Sequence, residues 1–342
     1  MHIVARRVFR LSFTTALTLA IAYGIAIPFP FIAPMFAFLL TAIPSLRLNL
    51  KKLIGLVLLL ALTLSIGLLI IPLINDYTLS GILVVGLGLY LSAYLTVNLG
   101  KGMVGTLLGV GFTTIPAAGA IDYALATIII QSLIIGVSIA VLCQWIVYPF
   151  FPEDESVPAK KDIKKNATQS NWIALRFTFI VLPPFLLALI NPAIFFKTII
   201  KSLMLGLQGS EVEAKSAGRE LMGSTLLGGL FAIIFWTFLK INPNLWMLFL
   251  YTLVLCVYFA SKIYQVYPSR FSASFWQDVA VTMIILIGLA IIDSDNGSNV
   301  YQAFAQRMSV FIGLAFYAWG AIYFLDTLRH RNSAISKKLA MD

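Results

Sequence analysis

Apolar runs about twenty residues long, separated by short polar, glycine-bearing or proline-bearing joints, fill this sequence from end to end. A run of about 17–25 mostly apolar residues can cross the roughly 30 Å hydrocarbon core of a bilayer as a helix, and few other folds have a use for so many of them. Hydropathy windows and Pro/Gly punctuation give twelve, at roughly 8–26, 29–44, 53–74, 80–98, 103–119 and 123–150, then 172–190, 192–208, 220–239, 244–261, 274–292 and 304–326. The second is the one most interrupted by proline, at Pro28, Pro30, Pro34 and Pro44. Composition agrees: 60% of the 342 residues are hydrophobic and 11% charged, with a mean hydropathy of +0.94. A soluble domain is about 25% charged, so the chain reads as an all-α polytopic membrane protein.

The net charge of +10 is not a nucleic-acid signature, because the basic residues punctuate apolar runs instead of clustering on a soluble face. Their placement gives an orientation. Arg6, Arg7 and Arg10, then Arg47, Lys51 and Lys52, then Lys101, Lys160, Lys161, Lys164 and Lys165, Lys215 and Arg219, Lys262 and Arg270, and finally Arg329, Arg331, Lys337 and Lys338 all fall on one side. The other side holds Lys240, Arg307 and the acidic loop Asp293-Ser-Asp295. By the positive-inside rule both termini are cytoplasmic. The charged stretch 151–171 then reads as a cytoplasmic connector, too short for a domain, between transmembrane units at 1–150 and 172–328, with a cytoplasmic tail at 329–342.

The two units resemble each other. Arg10 leads the first span of one and Arg176 that of the other, each followed by a proline-broken turn. A basic residue precedes a glycine at the third span of each, as Lys52-Leu-Ile-Gly55 and Arg219-Glu-Leu-Met-Gly223. The fourth spans align Tyr94 (YLSAYL) with Tyr258 (VLCVYF). Six spans per unit makes the repeats parallel, and transporters built that way place the substrate between the halves near the membrane midplane.

The stretch Asn191–Gln208 carries Lys197 and Lys201, four residues apart and so on one helix face, about 6 Å apart along the axis. A cation at membrane depth costs roughly 2.5–3.5 kcal/mol on insertion scales and so faces protein or a water-filled cavity. Two cations with no acid on the same helix suggest a seat for an anion; snorkelling of Lys197, or pairing of either lysine with an acid elsewhere, is the plainer reading. Counted from the outer end of its span, Lys201 lies about 15 Å deep. Asp278 lies about one turn inside the cytoplasmic end of the eleventh span, where it suits either a proton-carrying group or a carboxylate paired with Arg270 or Lys262. Phe195, Phe196, Tyr94 and Tyr258 are candidates to stack on an aromatic substrate; Gln131, Gln144, Asn98, Lys101 and Arg307 are further lining candidates. Small-xxx-small patterns such as Gly105–Gly109 and Ser224–Gly228 read as close helix packing.

No phosphate-binding loop, no HExxH, no GxSxG and no Cys/His cluster is present; Cys143 and Cys256 lie in apolar runs and the two histidines near the termini. The expectation is a protein that is not an enzyme and uses neither metal nor cofactor.

With its Arg-led first span and proline-rich turn (Arg10, Pro28, Pro30, Pro34; repeated as Arg176 and Pro192) and its basic-then-glycine third span (Arg219 to Gly228), the chain resembles the fusaric acid resistance and aromatic acid exporter superfamily. It departs from the larger members in having only about twenty linker residues where they carry a long cytoplasmic domain. The resemblance implies a bacterial inner-membrane efflux transporter for aromatic or other hydrophobic carboxylic acids, driven by the proton gradient and often working with a periplasmic membrane-fusion adaptor. Lys201 and Lys197 would then neutralise the carboxylate and Asp278 carry the proton. A passive anion channel and a non-transporting assembly subunit or unfamiliar membrane enzyme are the other readings; homo-oligomerisation is left open.

Overall fold

A computed structural model describes residues 2–44, 49–98, 102–154, 167–195, 199–211 and 214–339. All regular structure among these residues is helical: α1 (Ile3–Gly24), α2 (Ile32–Ala42), α3 (Leu50–Asp76), α4 (Thr78–Asn98), α5 (Gly102–Ile121), α6 (Tyr123–Val147), α7 (Ala167–Ile190), α8 (Pro192–Phe195), α9 (Ile199–Glu211), α10 (Ala214–Ile241), α11 (Leu245–Ile263), α12 (Ala273–Asp295) and α13 (Val300–Leu339). Nine of them, α3–α7 and α10–α13, are long and apolar enough to cross a membrane. This is the architecture of a polytopic membrane protein.

One of the expected crossings takes another form, and a second is described on either side of residues 196–198. The run at 29–44 contains a helix of only 11 residues, about 16 Å long and half the span a bilayer core requires. Proline is the reason: Pro28 and Pro30 have no amide hydrogen to give a helix, and α2 begins only after them, at Ile32. The run at 192–208 contains the four-residue α8, with Pro192 at its first position, and the 13-residue α9. α1 has 22 residues, enough for a crossing, but Arg6, Arg7 and Arg10 at its start lower its hydropathy.

Helix neighbours come in matched sets. α1 packs on α11, and α4 on α7; α3 packs on α5, and α10 on α12; α1 packs on α2, and α7 on α9. Likewise α2 packs on α6 and α9 on α13, α3 on α6 and α10 on α13, α2 on α12 and α5 on α9. Direct contact of α9 with α12 is a feature of the second set.

Within this bundle α12 is central: 83% of its apolar window is buried, against 33% for α3, α4 and α13; the leucine-rich outer faces of α3 and α4 (Leu58, Leu62, Leu69, Leu83, Leu87) suit lipid. Glycines allow close crossings, two of which matter here. A side chain at Gly67 on α3 would run into the carbonyl of Gly111 on α5, and one at Gly228 on α10 would come within 2.9 Å of the Val279 carbonyl and 2.7 Å of Thr282 Cβ on α12. Both belong to the small-residue patterns typical of close helix approach.

The beginning of the connector is docked on the bundle. Phe151 stacks on Phe9 and Phe13 at 5.7 and 5.8 Å between centroids, and Glu153 and Asp154 reach the arginines of α1. The sequence reading treated 151–171 as connector throughout; in the structure its first four residues are held, and α7 already begins at Ala167.

Candidate functional site

α9, α10 and α12 bring four polar side chains together inside the membrane-spanning core. Lys201, the third residue of α9, is fully buried and Asp278 on α12 nearly so. The lysine Nζ donates to both carboxylate oxygens of Asp278, at 2.9 Å to Oδ1 and 2.7 Å to Oδ2, and to Thr282 Oγ1 at 2.8 Å. An ammonium has three hydrogens, so Lys201 has no donor left over. Ser224 on α10 donates to Asp278 Oδ2 at 2.7 Å and lies 3.1 Å from the carbonyl of Leu221. Thr282 donates its own hydroxyl hydrogen to the Asp278 carbonyl at 2.6 Å, leaving an oxygen lone pair for the lysine.

Helical spacing produces the cluster. Asp278 and Thr282 are four residues apart and share a face of α12; Ser224 and Gly228 do the same on α10, and the missing side chain at Gly228 lets that face approach. Without the α9–α12 contact the ammonium would have no counter-charge. The pair is costly: each ion gives up several kcal/mol of hydration, and well-packed apolar residues in place of such a pair are often as stable or more so. Stability alone is therefore a weak reason for its presence, and an ionisable residue inside the membrane is by default a functional candidate.

The sequence readings fare differently. Lys201 does pair with an acid elsewhere, and that acid is Asp278, not a partner for Arg270 or Lys262 as the interfacial reading had it. The sequence places the two residues at different depths; the ion pair puts them at one level. Lys197 and Phe196 lie outside the described residues. The aromatic candidates are not gathered around Lys201. Tyr94 stacks on Tyr90 along α4, Tyr258 lies against Phe231, Phe259 and Trp276, and Phe195 packs against the main apolar core. Tyr258 faces a different cation, Lys262, 5.9 Å from its ring. Arg307 is engaged bidentately by Asp293 at the far end of α12, and Gln144 is buried on α6 with its Oε1 unpartnered, while Gln131 is exposed. Thr282 has no part in the sequence reading, and Ser224 enters it only through the Ser224–Gly228 packing pattern. Their signal was the i,i+4 spacing of Thr282 from Asp278 and of Ser224 from Gly228, which is ambiguous until the helices are paired.

A second polar cluster closes one end of the bundle. Glu153 accepts from Arg7 Nη2 at 2.6 Å and Arg10 Nη2 at 2.5 Å, while Arg6 pairs with Asp154 at 2.8 Å. Burial by itself would raise the carboxyl of Glu153; hydrogen bonds from Arg7 and Arg10, and their charge, outweigh it and hold the group below its ordinary range. Arg176 on α7 pairs in the same manner with Asp326 on α13 at 3.3 Å, and Trp172 donates to Asp326 at 3.0 Å.

Comparison with known proteins adds one finding. Residues 7–147 match the model of a family described as "Protein of unknown function (DUF2955)", a match that runs from α1 to the last residue of α6. No curated protein and no solved structure matches the chain.

Proposed function

We propose that this protein is a transporter of organic anions, built as two parallel six-helix repeats in a bacterial inner membrane with both termini cytoplasmic. The matched helix neighbours support the repeat: α1 to α6 correspond in order to α7, α9, α10, α11, α12 and α13, and each of the neighbour pairs set side by side above has its counterpart, the α9–α12 contact standing apart from them. That the family match covers α1 to α6 and stops there agrees with a six-helix unit. Arg10 with Glu153 and Arg176 with Asp326 are comparable too, each tying the first helix of a half to an acid in or just beyond its sixth: Asp326 on α13, and Glu153 in the connector that follows α6. The orientation rests on the Lys and Arg distribution.

The observation that carries the function is the buried Lys201–Asp278 pair, one ammonium and one carboxylate in the most enclosed part of the bundle. Lys201 is the seat for the substrate's carboxylate and Asp278 the proton site; aromatic carboxylates leaving the cell are the expected traffic. A passive channel would need a cation free to meet passing anions, and the donors of Lys201 are all engaged. The saturation of the cluster favours one other reading, a structural lock in a membrane subunit that carries no solute.

Uptake of a panel of aromatic and aliphatic carboxylates into inside-out vesicles decides between them. Transport predicts saturable uptake of at least one carboxylate, lost in Lys201→Gln while the folded protein persists in the membrane. Wild-type vesicles that take up no member of the panel, or Lys201→Gln vesicles as active as wild type, overturn the reading.

A further inference from the structure

We infer from the charge balance of this site that a proton and a carboxylate occupy it together and cross in the same direction, so that the transport cycle is electroneutral. The inference rests on the transport reading above and concerns the sign of its coupling.

Counting charge in the cluster gives the argument. At rest Lys201 and Asp278 sum to zero, and every ammonium hydrogen is used. An anion entering alone would compete for those hydrogens and leave the site at −1; a proton on Asp278 alone would leave it at +1. Either charge sits in a core where Lys201 is fully buried, and uncompensated charge there is what a low-dielectric interior disfavours most. With both bound, the site is neutral again: Asp278 is a neutral acid and the Lys201 ammonium faces the substrate carboxylate. Each ligand therefore raises the affinity for the other, as linkage requires. The two neutral states are the ones that can change their exposure across the membrane; an exchanger would have to pass through a charged one.

Ser224 is placed to serve both. In the resting site its hydroxyl donates to Asp278 Oδ2 at 2.7 Å. When Asp278 carries a proton, the same hydroxyl can turn, accept from the carboxylic acid, and donate to the Leu221 carbonyl 3.1 Å away. Thr282 is different: its hydrogen is committed to the Asp278 carbonyl, so it accepts from Lys201 and holds the ammonium in place in either state.

Other titratable groups do not complicate the exchange of charge. α2 carries none. From α10, Glu220 accepts from Ser272 and Arg219 lies over Phe271; from α11, Lys262 lies over Tyr258 and Tyr267, Tyr251 packs on Phe235, and Cys256 is a buried thiol. From α13, Arg307 is paired with Asp293, Asp326 with Arg176, and Tyr317 donates to the Phe179 carbonyl. Among the described residues Lys201 is the charged group on the Asp278 carboxylate.

Coupling of this sign has a consequence for export. A carboxylate leaving with its proton runs down the gradient of the acid itself, and an inward proton gradient opposes it. That departs from the expectation of efflux driven by the proton gradient.

The test is purified full-length protein in liposomes holding a pH-sensitive dye, given an outward benzoate gradient with no initial pH difference. It is run at alkaline pH, where little neutral acid crosses lipid unaided, and protein-free liposomes are subtracted. The expected result is proton loss from the lumen that tracks benzoate loss one for one, at a rate unchanged by a potassium–valinomycin potential of either sign. Protons moving against benzoate, or benzoate moving without protons at a voltage-dependent rate, would overturn the coupling and leave transport standing. Absence of protein-dependent benzoate movement, in net flux and in counterflow, would overturn both. Asp278→Asn supplies a permanently neutral stand-in for the protonated acid. Because the empty site then holds Lys201 without its counter-charge, net benzoate loss should fall at least tenfold, and benzoate–benzoate counterflow, which never passes through the empty site, should fall much less; a merely structural role for Asp278 would lower both together.

Discussion

Two acid–base clusters, similar in composition, sit in different surroundings. Glu153 is gripped by two guanidiniums, Arg7 and Arg10, on a chain segment at the end of the bundle, with Arg6 and Asp154 beside them and partly in solvent. Asp278 has one cation, an ammonium on a flexible stem, and both partners lie inside the helical core. Excess planar donors and nearby water make the first cluster hard to neutralise: losing one contact leaves others. In the second, the count of charges and hydrogens is just balanced, so a single proton or a single anion upsets it. The first arrangement suits a staple that fixes the start of the connector to α1, the second a site whose occupancy can change.

Substitutions should separate the two. The largest effect is expected at Lys201→Met, which leaves Asp278 buried without a counter-charge. It should lower stability by about 3–5 kcal/mol, read as a fall in Tm in detergent, and abolish carboxylate transport. The double change Lys201→Met with Asp278→Leu should recover most of that stability and none of the transport. A double variant that transports would reduce the pair to a structural lock and erase the contrast.

Next comes Glu153→Gln, expected to cost about 2 kcal/mol because Arg10 loses its ionised partner while Arg6 keeps Asp154. Carboxylate transport should persist in this variant. A transport defect larger than the loss of folded protein would show that the end cluster is part of the cycle after all.

The pH dependence has a definite sign. The folded-state pKa of Glu153 lies below its unfolded value, so its contribution is fully present above the unfolded pKa and is lost as pH falls through the folded one. Tm measured downward from neutral pH should drop on the acid side in wild type, and that part of the drop should be missing in Glu153→Gln. Identical acid limbs would remove Glu153 from the account. The smallest effect is expected for Thr282→Val, which takes one of three acceptors from Lys201 at about 1 kcal/mol, with slower but still proton-coupled transport. An uncoupled Thr282→Val would make the threonine, and not Asp278, the seat of the coupling.

Much of this protein is legible in one dimension because bilayer-crossing helices advertise themselves: length and hydropathy identify α3 to α7 and α10 to α13, and proline marks where α2 and α8 begin. Lys201 and Asp278 are visible as well, since charge within an apolar run is expensive and therefore conspicuous. What the chain order conceals is their relation. Seventy-seven residues separate the two, and each had nearer candidates, Lys197 for the one and Arg270 or Lys262 for the other. Hydropathy is a local quantity and cannot say which faces of α9, α10 and α12 meet. That was decided by side-chain packing, by the close approach Gly228 allows, and by the need of a buried ammonium for three acceptors, conditions that exist only once the helices stand together.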